Sequence, residues 1–146
     1  MATSGFTTSI LVDQSTEEVF DAIMNVQDWW FGDIKGNTKQ LNDEFSYRVG
    51  EVHFSKQKII GVVPQKRVEW LVSDSNLGFI KDTAEWTGTT ISFDISKEGN
   101  KTRVVFTHHG LLPELECYDA CSNAWTEIIQ RSLSSLIKTG KGVKIF

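Results

Sequence analysis

Cysteine and proline are scarce, with two of each in 146 residues. The thiols of Cys117 and Cys121 cannot staple a secreted disulfide scaffold, so stability has to come from a hydrophobic core. Prolines stand only at 64 and 113, which leaves Gly, Asn and Asp clusters to punctuate the chain. No apolar run approaches the roughly 18 residues of a membrane span. The opening Met1-Ala2-Thr3-Ser4-Gly5-Phe6 lacks the basic start and apolar stretch of a secretory leader, and a cytoplasmic setting is the resulting expectation. Positive charge is also short. Lys+Arg 15 against Asp+Glu 19 gives a net charge of −4, which argues against a nucleic-acid partner, because phosphate binding needs a basic stripe. There is no repeat, low-complexity tract or linker, and the length suits one domain spanning 1–146.

Aromatic side chains are abundant, with five Trp and nine Phe. Each buries a large area, so they can build a thick core or line a cavity. Their spacing sets the expected elements. Phe6 to Val12 alternates as a strand. Ser15-Thr16-Glu17-Glu18 is a capping box, because Glu18 lies three residues after Ser15 and can reach back to its amide. Val19, Phe20, Ile23 and Met24 come next at helical spacing. Asp28-Trp29-Trp30-Phe31 reads as a second short turn of helix.

From Glu44 the period becomes two. Phe45, Tyr47 and Val49 alternate with polar neighbours, as do Val68, Trp70 and Val72, and then Ile91, Phe93 and Ile95. Val52 to Val63 is a strand whose inner face the pattern does not assign. Glu98-Gly99-Asn100-Lys101 is a hairpin turn, and its return strand places Val104, Phe106 and His108 inward. Helical periodicity resumes from Leu115 to about Thr139. Cys117, Cys121, Trp125, Ile128, Ser132 and Leu136 form one stripe there, and Gly140 stops the helix. The expected fold is α+β: a first strand, one or two short helices, about five antiparallel strands and one long C-terminal helix. A curved antiparallel sheet must cover its apolar face, and the long helix is the element large enough to do so. A cavity between the two is the natural result.

That element order resembles the helix-grip superfamily, which includes START lipid-transfer domains, the birch pollen allergen and polyketide cyclases (SRPBCC). More narrowly it resembles the branch related to the C-terminal domain of the activator of the heat-shock protein 90 ATPase. The residues carrying this are Phe6-Thr7-Thr8-Ser9-Ile10 leading into Ser15 to Ile23, Trp29-Trp30 and Glu85-Trp86-Thr87-Gly88-Thr89. Phe106-Thr107-His108 and Asn123-Ala124-Trp125 leading to Ser132-Leu133 complete the set. The superfamily hosts carriers, receptors and enzymes on one scaffold, and this branch implies a chaperone as a possible partner.

The expected ligand is a small apolar or amphipathic molecule, bound without cofactor or catalysis. Trp29, Trp30, Phe45, Tyr47, Trp70, Phe93, Phe106 and Trp125 are the aromatic candidates for lining the cavity. His53, His108 and Tyr47 are the candidates for orienting a polar end, with Cys117 and Cys121 on the facing helix. His108, His109 and the two thiols could in principle hold zinc, but their spacing matches no standard motif, and small apolar core residues are the commoner role of such thiols. Two alternatives stand beside the binding reading. One is a co-chaperone-like interaction module, and the other is a cyclase, dehydratase or hydrolase using His108 as acid–base. An unclosed sheet also leaves edges for a second copy, so monomer and homodimer both remain open.

Overall fold

The structure, a computed structural model, describes residues 5–145; residues 1–4, which carry part of the leader expectation, lie outside them. β1 (Gly5–Val12) is followed by α1 (Thr16–Met24) and a single 3-10 turn (Val26–Asp28). Six strands come next: β2 (Asp33–Gly36), β3 (Glu44–Val49), β4 (His53–Val63), β5 (Arg67–Leu77), β6 (Thr90–Glu98) and β7 (Lys101–His109). The chain ends on α2 (Tyr118–Glu127), a π-helical segment (Ile128–Leu133) and α3 (Ser134–Thr139), which run on as one long helix. The sheet has seven strands in the order β1-β7-β6-β5-β4-β3-β2, and every neighbouring pair is antiparallel. This is the α+β helix-grip arrangement expected from the pattern, a curved sheet with the C-terminal helix across its apolar face.

Local chemistry accounts for the elements. The Ser15 side chain accepts from Glu18 N at 3.1 Å and Glu18 Oε1 accepts from Ser15 N at 3.3 Å, so the capping box forms as read. Val19, Ala22, Ile23 and Met24 face the core from α1. Gly140, at φ 85°, ends α3 in the left-handed conformation that glycine adopts without strain.

Three details differ from the sequence expectation. A seventh strand exists, β2, four residues long on the sheet edge and paired with β3 from Asp33↔Arg48 to Gly36↔Phe45. Asp-Ile-Lys-Gly is too short and too polar to show alternation. The short helical turn begins at Val26, earlier than Asp28, and Trp29 and Trp30 close it by donating backbone N–H to Val26 O at 3.1 and 2.8 Å. The C-terminal helix carries the π segment, which inserts one extra residue per turn and rotates the remainder of the helix about its axis. The buried stripe therefore runs through Ile128, Ile129, Ser132 and Leu133 to Ile137, and Leu136 is left half-buried.

β4 explains its own illegibility. Its pairing with β5 shifts register between Lys56 and Gln57 and again between Ile59 and Gly61. The inner face of β4 nevertheless alternates as Ser55, Gln57 and Ile59, all fully buried, with Ile60 exposed, so two polar residues on the buried side and an apolar one outside hide the face from a hydrophobicity pattern. On the regular strands the expected faces hold. Val68, Trp70 and Val72 of β5, Ile91, Phe93 and Ile95 of β6, and Val104, Phe106 and His108 of β7 are all buried.

Ser132, in the π segment, ties three parts of the chain together. Its hydroxyl donates to Trp29 O at 2.7 Å and accepts from Val143 N at 3.0 Å, joining the helix to the tryptophan turn and to the C-terminal tail. Ser132→Ala leaves a buried carbonyl and an amide without partners. It should cost about 1–3 kcal/mol in urea unfolding, and a loss below about 0.5 kcal/mol would mean that the π segment is held by packing alone.

Candidate functional site

Consecutive tryptophans at 29 and 30 begin the construction. Trp29 stacks on Trp70 at 6.3 Å and sends its indole N–H to Ile23 O at 3.2 Å, which locks it into the core. Trp30 stacks on Tyr47 with ring centroids 3.9 Å apart and an interplanar angle of 11°, and it meets Trp125 at 5.0 Å. Gly32 makes the Tyr47 position possible, because a Cβ there would lie 2.6 Å from the tyrosine ring. The Tyr47 hydroxyl donates to Phe31 O at 2.8 Å, and burial raises its pKa to about 12. It is a neutral phenol with its proton already committed.

A pocket of about 390 Å³ lies between one end of the sheet and the C-terminal helix. Trp30, Tyr47, Val49, Val52 and His53 wall it on the β3–β4 side. Phe79 and Trp86 come from the loop that links β5 to β6, and Ala120, Cys121, Ala124, Trp125 and Ile128 come from the helix. Among the described residues no Asp, Glu, Lys or Arg lines it. Val52 and Phe79 are both exposed and stand at its mouth.

Of the residues singled out in the sequence, Trp30, Tyr47, His53, Cys121 and Trp125 therefore line the pocket. Trp29, Phe45 and Trp70 stand behind that wall as buried core. Phe93 and Phe106 do the same on β6 and β7, with Phe106 backing Trp125 at 4.6 Å. Cys117 is buried at the start of α2, and His108 is buried among tryptophans. Sequence reasoning missed Trp86 as a wall residue, along with Val49, Val52, Phe79, Ala120, Ala124 and Ile128. Trp86 was visible as part of the Glu85–Thr89 motif, but the loop around it carries no periodicity to show which way it faces.

His108 is engaged at both ring nitrogens. Trp125 Nε1–H donates to His108 Nδ1 at 3.1 Å. An indole nitrogen can only donate, so the histidine proton must sit on Nε2. Nε2 then donates to Thr89 Oγ1 at 2.8 Å, and Thr89 donates onward to Trp86 O at 2.6 Å. Burial, with smaller contributions from His109 and His53, depresses the His108 pKa to about 3. The imidazole is neutral, fixed in one tautomer and has no free nitrogen for acid–base work.

The loop and the helix start clamp each other. Glu85 accepts from the backbone N–H of Glu116 and Cys117, both at 2.9 Å, and so caps the helix beginning. In return Glu116 Oε1 accepts from Lys81 N at 3.0 Å and Asp82 N at 3.3 Å. This reciprocal arrangement holds Trp86 against Trp125, stacked at 5.7 Å. The neighbouring Cys121 thiol, together with burial, pushes the Cys117 thiol well above the ordinary range. Among the described residues no three His, Cys, Asp or Glu side chains gather as a metal-holding group.

With this geometry in place, comparison with known proteins is informative. The family described as Activator of Hsp90 ATPase homolog 1-like protein matches residues 13–138. The chain belongs to that family. A member-type fold recurs in the solution structure of the Aha1 dimer from Colwellia psychrerythraea, with 25% identity and a TM-score of 0.75. The match covers 97% of this chain and 100% of that one. Protein MLL2253 from Mesorhizobium loti shares 12% identity at a TM-score of 0.68, over 94% of this chain and 99% of its own. CalU16 from Micromonospora echinospora shares 14% at a TM-score of 0.62, over 91% and 74%. The last two show the fold alone. Among proteins with curated descriptions, none matches the sequence. Among the described residues no helix is long and apolar enough to cross a membrane.

Two desolvated histidines of this Activator of Hsp90 ATPase homolog 1-like chain, His108 buried and His53 half-buried, carry a pH signature. His53, desolvated, has its pKa lowered to about 4, beside about 3 for His108. Below pH 6.5 the unfolded chain takes up protons on these groups that the folded state refuses until about pH 4 and pH 3. Stability should thus be flat above about pH 7 and fall as pH drops, by roughly 2 kcal/mol for each histidine at pH 5. Urea titrations at pH 7.5 and pH 5 measure this, and equal stabilities would show that neither imidazole is held neutral.

Proposed function

We propose that the protein is a binding protein for a small apolar or amphipathic molecule, held in the pocket between sheet and helix without catalysis. The observation that carries this is the character of the 390 Å³ space: aromatic and aliphatic walls with no charged side chain among the described residues. Its volume falls within the usual range for small-molecule sites. Burial of apolar ligand surface would supply most of the affinity, at about 25 cal/mol per Å² before the cost of association. The commitment of both His108 nitrogens supports binding over turnover, since the residue best suited to proton transfer is already occupied. Two unpaired buried thiols accord with a reducing, cytoplasmic setting.

Family membership favours a second reading, in which the chain acts as a co-chaperone-like module on the heat-shock protein 90 ATPase. The two readings part on the effect of filling the pocket. Ala124 lines the pocket from α2 without taking part in the Trp125–His108 contact, so Ala124→Phe fills space and leaves the hydrogen bonds alone. The neutral dye N-phenyl-1-naphthylamine should give saturable fluorescence with the native protein and at least tenfold weaker binding with Ala124→Phe. Absence of saturable binding, or equal binding by a folded variant, would contradict the pocket reading. Stimulation of the chaperone ATPase by a chain that binds no dye would favour the module.

A further inference from the structure

The pocket wall holds several polar atoms, and nearly all are already spent. The Tyr47 hydroxyl is bound to Phe31 O, and the Trp125 indole N–H to His108. Cys121 offers only a thiol, a weak donor and a weak acceptor. What remains is one corner, where the rings of His53 and Trp86 meet edge to face at 4.7 Å.

His53 uses one nitrogen, placing Nε2 3.0 Å from Ser55 Oγ. That hydroxyl accepts from Gln57 Nε2 at 2.6 Å and is fully buried with no other acceptor among the described residues for its own hydrogen, which is therefore directed at His53 Nε2. The histidine proton therefore sits on Nδ1, which has no acceptor among the described residues. Trp86 adds a second donor at the same corner, since its indole N–H is buried with no hydrogen-bond partner among the described residues. Both uncommitted groups donate, and an unmet donor in an apolar site carries a cost that an acceptor on a ligand would relieve.

The remaining walls restrict shape and charge. Trp30 with Tyr47, and Trp86 with Trp125, present stacked pairs of flat rings. No cation among the described residues lines the pocket, His53 stays neutral at physiological pH because it is desolvated, and a buried anion would go uncompensated.

Building on the binding function above, we infer that the pocket selects an uncharged, flat aromatic ligand bearing one hydrogen-bond acceptor, such as an aryl ketone, which takes its hydrogen bond from His53 Nδ1 at the corner shared with Trp86. Trp86 is the secondary donor, and its ring sets the angle of approach. Neither residue performs chemistry on the ligand.

Three naphthalenes of nearly equal shape test this by tryptophan-fluorescence titration at pH 7.5: 2-acetylnaphthalene, 2-ethylnaphthalene and 2-naphthoate. The ketone should bind about tenfold tighter than the hydrocarbon, the worth of one hydrogen bond made in an apolar site. It should also bind more tightly than the carboxylate. His53→Phe should bring ketone and hydrocarbon to equal affinity. Trp86→Phe, which keeps an aromatic ring and removes the N–H, serves as the second variant and should narrow the same ratio. Equal binding of ketone and hydrocarbon by the native protein would overturn the inference and leave the apolar pocket standing. So would preferential binding of the carboxylate, or a ratio that survives both substitutions. Failure of all three probes to bind would overturn the inference together with the binding function beneath it.

Discussion

The bond from Trp125 Nε1 to His108 Nδ1 is the interaction on which the functional end of the molecule depends. It begins a relay that passes through Thr89 and ends on the backbone of Trp86. Trp125 belongs to the C-terminal helix, His108 to β7 and Trp86 to the loop between β5 and β6. One fully buried imidazole thus ties the helix, the sheet and the loop around a common space. The arrangement works only while the ring is neutral and protonated on Nε2, and burial enforces the first condition as the indole donor enforces the second.

Around that relay the protein leaves space open where it could have closed it. Small residues at 120 and 124 on α2 set the helix surface back from the sheet, while the aromatic rings opposite are too rigid and too well stacked to collapse inward. Register shifts interrupt the β4–β5 pairing, and the π segment re-aims the helix face beyond Ile128. Strand curvature and helix irregularity are the usual means of widening a site without losing backbone hydrogen bonds. Close packing resumes immediately behind the wall, where Trp29, Trp70, Phe93 and Phe106 fill the core.

Most of the architecture was legible in the residues. The capping box at Ser15, the inward set Val104–Phe106–His108 and the stop at Gly140 were each readable, because every one rests on a local rule. The strand β2 was not legible, since four edge residues give periodicity nothing to act on. Nor were the bulges between β4 and β5 or the π segment, which no local residue signal announces, and the inner face of β4 was hidden because polar Ser55 and Gln57 share it with Ile59. The site was half legible for a related reason. Aromatic richness pointed to a lined cavity, yet residue type alone could not separate Trp30 and Trp125, which face the space, from Trp29 and Trp70, which lie behind it. Trp86 lay in a loop, and whether His53 or His108 kept a free nitrogen depended on partners contributed by other parts of the fold.

The central claim is that His108 is a structural hub of a binding pocket, with no part in proton transfer. Long-range proton–nitrogen NMR correlation of the three histidines reads this directly, because it reports tautomer and titration together. The account predicts that His108 is a neutral Nε2–H tautomer that does not titrate between pH 8 and pH 5, as its depressed pKa of about 3 requires. A His108 that titrates near pH 6.5, or that carries its proton on Nδ1, would contradict the account and return the residue to service as an acid–base group.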